Sequence, residues 1–188
     1  THSEASMSLH HGNGGHGHPL GGHQFSRTAA LITVSDRGSR GEREDTSGSK
    51  LLDRLEAAGY EVLYREIIPD EVSQISRTLR LYADEKRVAL IITTGGTGVS
   101  PRDVTPDATA SVVDRMIPGM AEAMRAAGLQ KTPHAMISRA VVGIRGATLI
   151  VNLPGSPKGA LENLEVILPA LSHTLEKIQG DPSDCGRT

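Results

Sequence analysis

Val88 to Gly98 has the sequence VALIITTGGTG, an apolar run followed by a glycine-rich turn. The run from Val88 to Thr93 does not alternate between apolar and polar residues, which is typical of a strand buried on both faces of a sheet. Other apolar segments with strand composition occur at residues 29–34, 61–68 and 148–153. The sequence therefore predicts a sheet with a buried central strand at residues 88–93.

Helical patterns lie between the predicted strands. Apolar residues recur at helical spacing over residues 51–58, and Gly59 follows, as is common just after a helix. Further helices are predicted at four places: from Pro69-Asp70, from an N-cap at Thr105, over residues 118–127 and from an N-cap at Ser156. The alternation of strands and helices predicts an α/β fold with three layers, α/β/α, around a mostly parallel sheet.

Ligands of open α/β sheets bind beyond the carboxyl ends of the strands. Four segments follow predicted strands and should meet at that edge: Ser35-Asp36, Pro69-Asp70, Gly95-Gly96-Thr97-Gly98 and Pro154-Gly155-Ser156. The glycine-rich segment lets successive backbone N–H groups and hydroxyls approach an anion. It is neither a Walker A loop, because no Gly-Lys-Ser/Thr follows, nor the dinucleotide fingerprint. The Pro154 turn either supplies backbone donors to a nucleotide or simply starts a helix.

Two carboxylates near these loops, Asp70 and Asp103, are candidates for binding Mg²⁺ together with nucleotide phosphates. Each has a structural alternative. Asp70 could cap the helix that follows it, whereas Asp103 could cap its own loop or pair with Arg102. Ser138-Arg139 belongs to a polar island before the last strand, which either binds an anionic or polar heterocycle or forms a solvated hairpin.

Four motifs carry a resemblance to a known family. The segment TTGGTGVSPRDVTPDAT at residues 93–109 resembles the signature of the molybdenum cofactor biosynthesis proteins of the MogA/MoaB type. The others follow the family order: VSDRGSRGEREDTSG at 34–48, IIPDE at 67–71 and SRAVVGIRGATLIVNLPGSPKG at 138–159. The resemblance covers about residues 28–180 and is to the single-domain, Mog-like members.

The resemblance implies a molybdopterin adenylyltransferase, which converts molybdopterin and Mg-ATP to adenylyl-molybdopterin and pyrophosphate. It also implies a homotrimer or hexamer, and a downstream protein that inserts molybdate. By motif position, Asp70 and Asp103 would be the catalytic acidic residues and would act through Mg²⁺. Gly95, Gly96, Thr97 and Gly98 would form the phosphate loop. The nucleotide would also contact Ser35, Asp36, Pro154, Gly155 and Ser156, and molybdopterin would contact Ser138 and Arg139.

Composition excludes several other classes of function. The chain has 188 residues and a formal net charge of −2, which provides no overall attraction to nucleic acid or to an acidic membrane. Aromatic residues make up only 2%, too few for a protein that stacks bases on aromatic side chains. No apolar run is long enough to span a membrane, and the single cysteine, Cys185, suits the reducing cytoplasm.

We predict three segments along the chain. Residues 1–26 form a disordered His- and Gly-rich extension, residues 27–180 a molybdopterin-binding and adenylyltransferase domain, and residues 181–188 a C-terminal tail. Two other functions compete with adenylylation. The domain could be a non-catalytic molybdopterin carrier or oligomeric scaffold, or it could be a generic nucleotide hydrolase. The lack of a Walker A sequence weighs against the hydrolase.

Overall fold

The computed structural model describes residues 25–180. Its six strands are β1 (Thr28–Val34), β2 (Glu61–Ile68), β3 (Leu90–Thr94), β4 (Arg115–Met116), β5 (Val142–Arg145) and β6 (Thr148–Leu153). They form one sheet in the order β2-β1-β3-β6-β5-β4. The pairs among β2, β1, β3 and β6 are parallel, whereas β5 pairs antiparallel with β6 and β4 antiparallel with β5. The predicted mostly parallel sheet is confirmed.

Helices cover both faces of the sheet. They are α1 (Asp36–Ser39), α2 (Thr46–Ala57), α3 (Val72–Arg80), α4 (Thr105–Val112), α5 (Pro118–Leu129) and α6 (Pro157–Ile178). A π-helical turn, Leu81–Glu85, continues α3, and a 3-10 helix, Pro133–Ile137, precedes β5. One apolar core packs α2, α5 and α6 against the sheet, and a second core packs α3 and α4 against the other face. The predicted three-layer arrangement is confirmed.

The central strand β3 shows why its sequence does not alternate. Leu90 and Ile92 belong to the core on one face of the sheet, and Ile91 belongs to the core on the other. Successive side chains of a strand point to opposite faces, so a strand covered on both sides needs apolar residues at every position. All three side chains are completely buried.

The start of α3 differs from the prediction. The helix begins at Val72 and its N-cap is Glu71, which makes no side-chain capping bond. The prediction that this helix opens at Pro69-Asp70 is wrong, as is the alternative in which Asp70 caps it. The reason is that Oδ2 of Asp70 instead accepts a hydrogen bond from the backbone N–H of Asp36 at 2.8 Å.

The start of α4 also differs. Its N-cap is Val104, and Thr105 is the first helical residue rather than the predicted cap. The hydroxyl of Thr105 donates to the carbonyl oxygen of Gly95 at 3.0 Å, and the whole residue is buried. The Thr105 hydroxyl, which was predicted to cap the helix, instead makes a tertiary hydrogen bond to the glycine-rich segment.

The polar island before the last strand is not a solvated hairpin. It contains β5, in which Val142 and Ile144 are only 1% and 7% exposed because they pack into the core beneath α5 and α6. Gly143 is required there, because a Cβ at this position would lie 2.9 Å from the carbonyl oxygen of Arg115 in β4. Neither β4 nor β5 was predicted as a strand from the sequence.

Several predictions fall outside the described residues. These are the extension at residues 1–26, apart from residues 25 and 26, and the tail at 181–188 with Cys185. The domain boundaries therefore stay predictions. Within residues 25–180, no helix combines the length and apolar character needed to cross a bilayer.

Candidate active site

The four predicted loops meet at the carboxyl ends of the parallel strands. The N–H of Ser35, after β1, donates to Ile68 O at the end of β2 (2.8 Å). The N–H of Gly95, after β3, donates to Leu153 O at the end of β6 (3.0 Å). Side-by-side parallel strands bring their carboxyl ends to one edge, and these bonds extend the pairing into the loops. Residues from four distant parts of the chain thus form one site.

The glycine-rich segment after β3 follows a path that only glycine can take. Gly95 has φ +104° and Gly96 has φ +67°, conformations that residues with a side chain rarely adopt. A Cβ on Gly95 would overlap the carbonyl oxygen of Val34, and one on Gly96 would lie 2.9 Å from Oδ1 of Asp70. The glycines therefore bring the backbone of this loop against β1 and next to the Asp70 carboxylate.

Asp36 and Asp70 hold each other in place. Oδ2 of Asp70 accepts from Asp36 N, and the N–H of Asp70 donates to Asp36 Oδ1 at 3.0 Å. Arg102 donates to the same Asp36 carboxylate through Nε (3.0 Å) and Nη2 (2.9 Å). The hydrogen bonds from Arg102 lower the pKa of Asp36, so this carboxylate stays ionised. The loops after β1, β2 and β3 are joined by this network.

Asp103 caps its own loop. Its Oδ2 accepts from the N–H of Ser100 at 3.0 Å and would lie 2.9 Å from a Cβ on Gly98. Of the two structural alternatives, the loop cap is therefore present. The ion pair with Arg102 is wrong, because Arg102 reaches across to Asp36 instead. The carboxylate of Asp103 lies against the glycine-rich segment, and its charge acts on Asp70.

Asp70 is the carboxylate whose environment opposes its charge. Burial raises its pKa, and the negative charges of Asp36 and Asp103 raise it further. The backbone hydrogen bond from Asp36 and the charge of Arg102 lower it, but not enough to reverse the shift. When Asp70 is ionised in these surroundings, it lowers the stability of the folded protein. Carboxylates held this way are common at functional sites.

This environment leads to a stability prediction for Asp70→Asn. The amide oxygen of asparagine can still accept from Asp36 N, but the buried charge is gone. We expect the variant to unfold at a higher temperature than the wild type at neutral pH. Because the pKa of Asp70 is raised in the folded protein, the wild type becomes protonated there, and gains stability, as the pH falls. The difference in unfolding temperature between the two proteins should therefore vanish near the ordinary pKa of 3.8. Thermal unfolding across that range measures it.

Asp36→Asn is the matched control with the opposite sign. Because Arg102 lowers the pKa of Asp36, its charge stabilises the fold above the ordinary value, and that contribution is lost as the pH falls through the lowered pKa. The control should therefore be less stable than the wild type at neutral pH. An Asp70→Asn variant that is also less stable at neutral pH would contradict our account of Asp70.

A cavity of about 290 Å³ opens beside the glycine-rich segment. It lies between α5, the 3-10 helix and α6. Thr97 and Gly98 line its side next to the loop. The rest is lined by apolar side chains such as Met124 and Val166 and by polar ones, among them Asn152. Three predicted site residues also line it: Ser138, Pro154 and Ser156. A cavity of this character suits a flat heterocycle with a polar rim.

Arg139 does not line this cavity. Its guanidinium lies against the glycine-rich segment and α4, where it pairs with Asp107. Ser138 and Arg139, predicted together as a molybdopterin-binding pair, thus lie in different parts of the site. The hydroxyl of Ser156 accepts from Gly159 N at 3.1 Å and caps α6, as predicted.

Residues 30–173 match the family model described as "Probable molybdopterin binding domain". The chain belongs to this molybdenum cofactor biosynthesis family. It is 41% identical over 153 residues to a molybdopterin adenylyltransferase of Helicobacter pylori, covering 80% of this chain and 87% of that protein. It is 45% identical over 143 residues to the molybdopterin adenylyltransferase of Escherichia coli, covering 74% and 73%.

Solved structures agree with this assignment. The molybdopterin biosynthesis enzyme MoaB from Thermus thermophilus superimposes with a TM-score of 0.79 at 50% identity, covering 86% of this chain and all of that one. The Mog protein from Mycobacterium ulcerans superimposes with a TM-score of 0.77 at 42% identity, covering 81% and 99%. The predicted resemblance to the MogA/MoaB type is confirmed.

This molybdopterin binding domain contains two supporting residues that the sequence analysis missed. Asp45 caps α2 through Gly48 N (2.9 Å) and accepts from the hydroxyl of Thr33 at the end of β1 (2.8 Å). Ser47 donates to the carbonyl oxygen of Gly155 at 2.6 Å, which anchors the turn after β6. The signal was local and readable, because Asp-Thr-Ser-Gly is a helix N-terminus pattern.

Proposed function

We propose that this chain is a molybdopterin adenylyltransferase. A terminal phosphate oxygen of molybdopterin attacks the α-phosphorus of ATP and forms the new P–O bond. The bond from the α-phosphorus to the β-phosphate oxygen breaks, pyrophosphate leaves, and adenylyl-molybdopterin remains. The observation that carries this proposal is the meeting of the glycine-rich segment, Asp70 and Asp103 beside a cavity of about 290 Å³.

The chain's own residues would bind and orient the two substrates. Backbone N–H groups of Gly96, Thr97 and Gly98 would face phosphate oxygens, while Gly95, whose N–H is paired with Leu153 O, would start the phosphate loop. Ser35 and Asp36 would border the nucleotide. The turn at Pro154-Gly155-Ser156 would contact the adenosine, and Ser138 would contact molybdopterin within the cavity. Transfer between two phosphate groups needs positioning and charge neutralisation rather than a protein nucleophile.

Asp70 and Asp103 would hold Mg²⁺, and the donor chemistry fits that ion. Mg²⁺ is usually bound by one or two carboxylates and by substrate phosphates rather than by a full set of protein ligands. Residues 25–180 contain no group of three His, Cys, Asp or Glu side chains arranged around a metal position. Bound there, the ion would neutralise phosphate charge. Ionised Asp70 would then gain a second positive neighbour besides Arg102.

Pyrophosphate release from Mg-ATP, measured with and without molybdopterin, tests the proposed function. We expect release only when molybdopterin is present. Molybdopterin binding without release would indicate the non-catalytic carrier or scaffold, and release without molybdopterin would indicate a nucleotide hydrolase. Either result would overturn the transferase.

We also propose a cytoplasmic homotrimer or hexamer whose product passes to a molybdate-inserting protein. Large apolar side chains on the surface support an assembly of copies, among them Met136 at 70% exposure and Ile137 at 49%. The lone Cys185 in the sequence supports a reducing compartment. Gel filtration with light scattering gives the number of copies directly.

A further inference from the structure

Arg139 joins three segments that meet at the site. Its Nε donates to the carbonyl oxygen of Gly98 at 2.8 Å, and its Nη2 donates to that of Asp103 at 2.6 Å. The two η nitrogens also donate to both oxygens of the Asp107 carboxylate, in the first turn of α4, at 3.2 and 3.0 Å. Its backbone N–H donates to Thr97 O at 2.8 Å. Arg139, the second residue after the 3-10 helix, thus binds both ends of the loop from Gly98 to Asp103.

The guanidinium has little capacity left for a ligand. Arginine carries five N–H donors in a fixed fork. One is used by Gly98, one by Asp103 and two by Asp107, so a single donor remains. Arg139 is also absent from the lining of the cavity, whereas its neighbour Ser138 lines it.

We infer that Arg139 is a positioning residue, which holds the loop from Gly98 to Asp103, and with it the Asp103 carboxylate, in the geometry for adenylyl transfer. The inference rests on the proposed function for its link to catalysis. It differs from the role in binding molybdopterin that the family motif implies for Arg139, because the contacts of this side chain are to the protein.

The loop is tied to the site at two places. Arg102 in its exposed turn donates to the Asp36 carboxylate, and Arg139 donates to the carbonyls at the two ends of that turn. Val99 to Arg102 are exposed, and the turn is closed by two bonds of its own, from Ser100 N to the Asp103 carboxylate and from Asp103 N to Ser100 O at 2.9 Å. These internal bonds set Asp103 relative to Ser100 but not relative to the glycine-rich segment. Thr105 N holds the base of the loop through Gly96 O at 3.1 Å. The bonds from Arg139 hold the carbonyls at both ends of the exposed turn.

Lysine cannot replace this arrangement. The four acceptor atoms around Arg139 are two backbone carbonyls and the two oxygens of one carboxylate, and a planar fork can meet all of them at once. An ammonium group offers three donors from one point and must leave some of these acceptors unpaired. The ion pair itself is weak, because the Asp107 side chain is 55% exposed, so the bridging geometry rather than the charge is what matters.

The test compares Arg139→Lys and Arg139→Gln with the wild type and with Arg54→Lys as a matched control. Arg54 pairs with Glu165 on the surface between α2 and α6, away from the strand ends. The first readout is hydrogen exchange of the ligand-free protein, followed by mass spectrometry of peptides. We expect amides of residues 98–103 to exchange about 10-fold faster in both Arg139 variants, while β3 stays protected as in the wild type.

The second readout is steady-state pyrophosphate release. We expect kcat to fall about 30-fold in Arg139→Lys, because a misplaced Asp103 carboxylate stabilises the transition state less well. We expect KM for molybdopterin to change less than about 3-fold. Arg54→Lys should match the wild type in both readouts. A rise in KM for molybdopterin with kcat unchanged would overturn the inference and restore direct binding by Arg139.

The two readouts separate this inference from the proposed function. If loop exchange is unchanged in both Arg139 variants, the inference is overturned whatever happens to turnover. If β3 also loses protection in both, Arg139 supports the whole fold rather than the loop, and the inference is again overturned. If the wild type itself releases no pyrophosphate with molybdopterin, the proposed function fails, and the exchange measurement still decides whether Arg139 holds the loop.

Discussion

Asp103→Asn is expected to lower molybdopterin-dependent pyrophosphate release by about 100-fold or more, which corresponds to about 3 kcal/mol of transition-state stabilisation. Asparagine has almost the same shape, and its amide oxygen can still accept from Ser100 N, so the loop cap survives. What disappears is the negative charge next to the glycine-rich segment. Under the proposed function, the Mg²⁺ ion that neutralises the phosphates would then lose one of the two carboxylates proposed to hold it.

The matched control for this prediction is Asp114→Asn. Asp114 also accepts from a backbone N–H in a turn, that of Gly146 at 2.7 Å, but this turn precedes β6 and lies at the other end of the strand from the site. We expect the control to keep wild-type release, and both variants to keep the wild-type circular dichroism spectrum. Full activity of Asp103→Asn would remove this residue from the mechanism. A loss of folded structure would show instead that its main role is to build the loop.

Gly95→Ala is expected to destabilise the fold by about 3 kcal/mol or more, a large part of the roughly 5–15 kcal/mol that a folded domain has in total. Two costs combine at this position. The backbone has φ +104°, which alanine rarely adopts, and the new methyl group would overlap the carbonyl oxygen of Val34. Val34 O is a backbone atom at the end of a central strand, so it cannot move aside as a flexible side chain could.

Two other glycines separate these costs. Gly146 has φ +55°, but no atom lies within 4 Å of the place that a Cβ would take, so Gly146→Ala carries only the backbone strain, about 1 kcal/mol. Gly119 lies in α5 with open space and no positive φ, so Gly119→Ala should stabilise by about 0.5 kcal/mol or more. Denaturant unfolding ranks the three variants. Equal losses for Gly95→Ala and Gly146→Ala would mean that the contact with Val34 does not matter.

Much of the site was predictable because its pieces follow strands in a regular way. The apolar run before Gly95 predicts a buried strand, and a parallel sheet brings the carboxyl ends of its strands to one edge. The segments at Ser35, Pro69 and Pro154 could therefore be placed together without knowing which strand lies beside which. The family motifs point to the same loops.

The errors share a different cause. Local sequence assigned Thr105 to a helix cap, offered a cap as the alternative role of Asp70, and offered an ion pair with Arg102 as one alternative for Asp103. Each of these satisfies a polar group with a partner nearby in the chain. In the structure these groups bind partners from other loops: Asp36 N for Asp70, Gly95 O for Thr105, and Asp36 again for Arg102. A polar side chain has many nearby partners in sequence, and only the packed fold shows which one is within reach.

The amino-acid sequence by itself determined the layered architecture, the edge where the loops meet and the chemistry offered there, because these follow from apolar periodicity and from residue type. The tertiary structure alone decided which polar groups are joined across the site. The fold places Arg139 against a loop about forty residues earlier in the chain. Because β5 runs antiparallel to β6, the start of β5, just after Arg139, lies at the carboxyl end of β6 and therefore near the glycine-rich segment after β3. Such contacts depend on strand order and register, which are set by the packing of the whole sheet and leave no pattern in the residues beside Arg139.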